Sequence, residues 1–148
     1  MRTAVLLIAF GAAFCGASML GTWKMDPARS SFIGVTSPKS LTMRIEPHVR
    51  GEVFTLDRIE ADGRSISSST ILYFDSTPRD FQDFECSGTQ LSRWLNGQTM
   101  KIRRVCAASD WTWLVQQSPQ NSRELRVEIT GNSRNGQSFE WRLVLNKR

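Results

Sequence analysis

Histidine is almost missing from this 148-residue chain. His48 is the only one, beside Pro47 in a turn-like segment. A Ser–His–Asp triad or a Cys–His pair would have to use it, and a histidine metal cluster is excluded by count. Tyrosine is as scarce, with Tyr73 alone. No CxxC, GxSxG, GxGxxG or P-loop string occurs, so the motif routes to redox, hydrolase and nucleotide chemistry are closed. No apolar run after the first 17 residues approaches the roughly 20 that a membrane-spanning helix needs. No stretch has the spacing of an amphipathic helix of ordinary length. The formal net charge is +5, but Arg58, Arg64, Arg79, Arg93, Arg123, Arg126 and Arg134 are spread along the chain. Only Lys101, Arg103 and Arg104 cluster, and strand alternation puts Arg104 on the face opposite the other two. Without a basic stripe, nucleic acid is not an expected partner. Weak attraction to an anionic envelope surface fits the charge. Nothing points to a cofactor or a metal.

What is present begins with a leader. Arg2 precedes an uncharged apolar stretch, Thr3 to Phe14, followed by the small residues Gly16, Ala17 and Ser18. That is the layout of a secretory signal peptide cleaved near Ala17. The expectation is a signal peptide over 1–17 and one domain over 18–148, secreted or periplasmic, monomeric, with no transmembrane span in the mature form. An uncleaved leader acting as an anchor is the alternative. Phe14 stands where a lipobox needs a small residue, so Cys15 goes with the leader. Cys86 and Cys106 are then an even pair in an oxidising compartment, and a disulfide is the natural reading. It would close a loop of about 20 residues and stabilise by roughly 3 kcal/mol. Two free buried thiols are the alternative.

The remaining chain alternates apolar and polar residues between turn signals. Gly21 to Asp26 reads as a strand stopped by Pro27, and 27–38 as a connection with room for one helical turn. Leu41, Met43 and Ile45 alternate with Thr42, Arg44 and Glu46. In the strand from about Glu52 to Glu60 the alternation slips between Leu56 and Ile59, which suggests a bulge. Asp62-Gly63 is a tight turn, followed by a strand from Ser67 to Asp75 and a short one from Phe81 to Cys86. Asn96-Gly97 is the best hairpin signal in the chain. Its two-residue loop sets Ser87 opposite Cys106, with Cys86 one position away. Trp111, Trp113 and Val115 share a face, as do Leu125, Val127 and Ile129. Asn135-Gly136 then turns into Phe139, Trp141, Leu143 and Leu145. The pattern is an all-β, antiparallel up-and-down meander of about nine or ten strands, and closing it into a barrel of about 8–10 strands removes exposed edges. A flattened sandwich is the second architecture.

The five tryptophans are the residues most able to carry binding. Trp23, Trp111, Trp113 and Trp141 fall on apolar-alternating positions, while the face of Trp94 is undecided. With Met43 and Phe54 they are barrel core, or the lining of a cavity that stacks against a flat or apolar ligand. No catalytic group is assigned. Among the carboxylates Asp57 is the one to watch, because its alternation partners Val53, Thr55 and Ile59 are candidates for the inner face.

The string Gly21-Thr22-Trp23-Lys24-Met25 resembles the opening of the calycin barrels, the lipocalin and fatty-acid-binding protein group. The resemblance implies that Gly21 and Trp23 are structural, with Trp23 closing the barrel base against a basic residue of the last strand. Arg142 is the candidate partner, with Lys147 and Arg148 behind it. More closely, GTWKMDPARSSF is similar to GTWKLNPAKSKF, which opens the mature domain of a set of small secreted bacterial proteins of unknown function. The likeness continues through SPKSLTMRIEP, the EADGRS turn and NSRNGQSFEWRLVLNKR. The chain departs from fatty-acid-binding proteins at two points. Residues 27–38 leave no room for a helical lid, and the carboxylate-binding Arg-x-Tyr is absent. The implied function is a secreted barrel binding a small apolar or amphipathic molecule. The alternatives are a filled barrel acting as an envelope interaction module, and a barrel enzyme using inward carboxylates.

Overall fold

The computed structural model describes residues 18–148; the expected signal peptide, 1–17, lies outside them. The described residues form eleven strands and a single 3-10 turn, Pro27–Arg29. β1 (Gly21–Met25) and β2 (Ser31–Ile33) both pair with the last strand, β11 (Ser138–Lys147), and act as two halves of one edge-to-edge partner. Pro27 interrupts them, and the Asp26 carboxylate accepts the Ala28 N–H at 3.1 Å to start the turn. β2 was not evident in the connecting segment because its partners, Glu140 to Arg142 of β11, are far away in sequence.

The remaining strands are β3 (Ser40–His48), β4 (Gly51–Ile59), β5 (Ser65–Leu72), β6 (Arg79–Gln82), β7 (Ser87–Asn96), β8 (Thr99–Cys106), β9 (Ser109–Gln117) and β10 (Glu124–Ser133). Their order around the sheet is β5-β4-β3-β1-β11-β10-β9-β8-β7-β6, with antiparallel neighbours throughout. The ribbon curls into a nearly closed barrel. Side chains rather than a backbone ladder span the gap between its two ends: Ser68 donates to Asp83 at 2.8 Å and Gln90 to Thr70 at 3.0 Å. The inward rows Leu41-Met43-Ile45, Met100-Ile102, Trp113-Val115, Leu125-Val127-Ile129 and Trp141-Leu143-Leu145 are buried together, as period-two alternation requires.

Three details correct the sequence reading. β4 has no bulge; its register with β3 and β5 is unbroken. Alternation therefore continues through Phe54 and Leu56 to Arg58, which is buried, and turns Ile59 outward. Asp57 lies on the outer wall, accepting from Ser67 at 2.6 Å and pairing with Arg44 at 3.4 Å. The register shift occurs instead in β7, between Trp94 and Asn96. It sets Gly88 opposite Cys106, and Cys86 still bonds Cys106 with a Cα–Cα distance of 5.1 Å. Finally, β6 stops at Gln82. The Asp83 carboxylate accepts from the N–H groups of Glu85 and Cys86 at 2.8 and 2.7 Å, folding those residues into a turn. The buried disulfide suits an oxidising, extracytoplasmic environment. Among the described residues no helix is long and apolar enough to cross a membrane.

Candidate functional site at the barrel mouth

Antiparallel strands alternate their connections between two ends. The N-terminal residues and the β3–β4, β5–β6, β7–β8 and β9–β10 turns lie at one end, the base. The 34–39 segment and the β4–β5, β6–β7, β8–β9 and β10–β11 turns lie at the other, the mouth. A cleft of about 530 Å³ opens at the mouth between Val35, Arg58, Glu60, Glu85, Trp111, Phe139 and Trp141. A slightly larger hollow on the outer wall is fringed by Arg29, Arg126 and Arg142. Each of those arginines is already ion-paired, to Glu124 or Glu140.

Three aromatic rings form the apolar side of the mouth cleft. Trp111 of β9 lies 4.4 Å from Phe139 of β11, centroid to centroid, and 5.9 Å from Trp141 in an edge-to-face pair. Phe32 of β2 backs Trp141 at 5.4 Å. Gly131 of β10 makes this contact possible. It pairs with both Trp111 and Phe139, and a Cβ there would lie 2.2 Å from Phe139 Cζ and 2.4 Å from the Asp110 carbonyl. No sequence signal singled out Gly131, because its role depends on two rings contributed by neighbouring strands.

Arg58 forms the polar side. Only 5% exposed, it stands 5.3 Å from the Trp141 ring, with Nη2 on Glu85 at 2.5 Å and Nε near Glu60 at 3.0 Å. The Trp141 indole N–H is buried without a hydrogen-bond acceptor among the described residues. Deeper in, Arg104 of β8 is 7% exposed. Its Nε donates to Gln90 at 2.9 Å, and its guanidinium lies over Phe81 and Trp113 at 4.4 and 5.1 Å. Burial pulls its pKa down to about 10, against the pull of Asp83 and Glu85, so it stays charged at neutral pH. Alternation had separated Arg104 from Lys101 and Arg103; the position of Arg58 was obscured by the apparent slip in β4. Between the two arginines, Ser68, Asp83 and Trp113 enclose a void of about 20 Å³, about the size of one water.

No family model and no curated protein matches the chain. Among solved structures it is similar to zebrafish ileal bile acid-binding protein complexed with cholic acid. That pair has a TM-score of 0.51 and 13% identity, over 87% of this chain and 98% of the other. It is also similar to the fluorescent protein UnaG, with a TM-score of 0.53 and 9% identity over 88% of this chain and 97% of that one. The fold is that of a calycin-like barrel. The identities are low, so the likeness concerns architecture.

In this calycin-like barrel the residues singled out from the sequence separate by depth. Trp23, Met43, Phe54 and Trp113 are fully buried in the core, Phe54 edge-on to Trp113 at 5.8 Å. Only Trp111 and Trp141 reach the mouth cleft. At the base the Trp23 indole donates to the Met19 carbonyl at 2.8 Å. The basic residue against Trp23 is Lys147, 5.4 Å from the ring. Arg142, the candidate for that place, is on the outer wall with Glu140 at 2.5 Å. Residue 147 shares the inward parity of Leu143 and Leu145, and 142 does not. Gly21, at φ +134°, leaves room for Lys147 to fold across; a Cβ would lie 2.9 Å from Lys147 Cε. His48 accepts the Arg50 N–H at 3.1 Å within its own turn. Among the described residues no group of three or more His, Cys, Asp or Glu side chains could hold a metal ion.

Proposed function

We propose that this protein is an exported binding protein for a small, largely apolar and partly polar molecule, held in the mouth cleft rather than deep in the barrel. The observation that carries the reading is the grouping of three aromatic side chains with a buried guanidinium around one opening of about 530 Å³. That volume is within the usual range of small-molecule sites, which are mostly apolar with a few orienting polar groups. A flat apolar body stacks against Trp111, Phe139 and Trp141, while an acceptor atom takes the edge of Arg58. A bile acid-binding protein of the same fold supports the class of ligand. Export is supported by the leader composition and the disulfide.

Titration of tryptophan fluorescence with cholate, a long-chain fatty acid and a neutral sterol tests the proposal. A saturable change with at least one of them is expected, lost in Trp111→Ala and kept in Trp23→Phe. No saturable change across the panel, or one that survives Trp111→Ala, would overturn it. The filled interior, with its void of about 20 Å³, favours a second reading: a packed barrel whose function resides on its outer surface.

A further inference from the structure

The base and the mouth of the barrel both expose apolar side chains, with Ile33, Ile59, Phe84 and Val105 toward the mouth, but they differ in how their arginines are partnered. Val49, at the β3–β4 turn, is 96% exposed; Trp94 and Leu95, at the end of β7, are 37% and 46% exposed. Arg50 and Arg93 adjoin these apolar tips in sequence, and Arg123 and Arg148 stand on the same rim. None of the four takes part in an ion pair among the described residues, whereas the mouth arginines Arg58, Arg64 and Arg134 all do. The base turns themselves carry one carboxylate, Asp75, which is tied to Arg79. The β3–β4 and β7–β8 turns lie on roughly opposite sides of the ring, so both can meet one plane across the barrel axis. The chain also enters the barrel at this end. Ser18 and Met19 are its first described residues.

We propose that the base rim docks on an anionic lipid bilayer. Val49, Trp94 and Leu95 enter the headgroup layer, and Arg50, Arg93, Arg123 and Arg148 meet the negative headgroups. Exposed apolar tips flanked by basic side chains are the interfacial pattern that binds such surfaces, with tryptophan favoured at the headgroup level. Among the described residues none of these four cations is paired with a carboxylate, so phosphate is an available partner. The mouth then points away from the membrane, open to the aqueous phase.

The test is co-sedimentation of the full chain with vesicles of phosphatidylcholine alone, or of phosphatidylcholine with phosphatidylglycerol, at low and high salt. The phosphatidylcholine arm measures the apolar contribution, rim tips and leader together, in the absence of anionic headgroups. Additional binding to phosphatidylglycerol that fades with salt is expected. Each basic residue lost from the rim should weaken it about fivefold, so Arg50→Glu with Arg93→Glu should lower it by about 25-fold or more. Lys39→Glu with Arg64→Glu makes the same charge change at the mouth and should have a much smaller effect. Val49→Asp with Leu95→Asp should reduce the part that survives high salt. These positions are exposed, and an unchanged near-ultraviolet spectrum will show that the variants fold. Equal binding to both vesicle types, or equal losses from the base and mouth variants, would overturn the proposal. So would a base rim that captures nucleic acid or protein but leaves phosphatidylglycerol vesicles unbound.

Discussion

At the residue scale, the buried charges set the pH behaviour. Glu52 shares the inward parity of Phe54, Leu56 and Arg58, and its Oε2 is buried without a partner. Burial raises its pKa above the usual carboxylate range. The fold therefore binds this proton more tightly than the unfolded chain does. The associated stability is complete below the unfolded value, roughly 4.3, and is lost as pH rises through the folded one. Glu52→Gln should raise the melting temperature at pH 7 and leave it near wild type at pH 3; an unchanged melt at pH 7 would mean that the carboxylate is solvated. Glu124 works in the opposite sense. Its hydrogen bonds with Arg29, at 2.9 and 3.3 Å, hold its pKa below the usual range. The stability it contributes is present above the unfolded pKa and is lost in acid as pH falls through the folded value.

At the element scale, the weak point is the seam between β5 and β6, where no ladder joins the ribbon's ends. The disulfide fastens the β6–β7 turn to β8, and that turn carries Asp83 to Ser68 and Glu85 to Arg58 across the gap. Replacing Cys86 and Cys106 by alanine should cost about 3 kcal/mol, seen as a lower urea midpoint. It should also loosen the polar edge of the mouth, weakening ligand binding there. A midpoint unchanged within error would show that the side-chain seam alone holds the barrel shut. Much at this scale was legible beforehand. Asp62-Gly63 and Asn135-Gly136 each lie where strands turn, with the glycine at φ +89° and +86°, angles that glycine adopts without strain; Asn96-Gly97 also marks its hairpin, although the turn residues are Gly97 and Gln98 and neither is left-handed. Alternation places the bulge in β4 and the structure places it in β7, for a simple reason. An inward arginine at 58 mimics a break in alternation, whereas the actual shift near Trp94 and Leu95 falls among apolar residues that mask it.

At the scale of the whole molecule, the side chains of the lower barrel are buried in one core, and the aromatic cleft opens at the mouth. Stability and binding should therefore belong to different tryptophans. Trp113→Ala empties the centre of the core, where Phe54 and Arg104 both rest on the ring, and should cost roughly 3–5 kcal/mol in chemical unfolding. Trp111→Ala, at the partly open mouth, should cost well under half of that while abolishing the fluorescence response to ligand. Equal costs for the two would mean that the cleft is core, with no binding surface separate from it.

The amino-acid order alone determined the class of fold: alternation set which face of nearly every strand is apolar, the Asn-Gly and Asp-Gly pairs placed the hairpins, and Cys86 fell within two positions of the residue facing Cys106, close enough to bond it. Depth along the barrel was decided only by tertiary structure. Period two assigns a side chain to the inside or the outside, but the height it occupies comes from tilt and register summed over the strands of the ring. That sum put Trp23 and Trp113 in the packed core, Trp111 and Trp141 at the mouth, and Lys147 rather than Arg142 over Trp23. It also put Arg58 and Arg104 inside the wall, where Glu85 from across the gap pairs with Arg58 and Asp83 of the β6–β7 turn stands 4.0 Å from Arg104, making their burial tolerable.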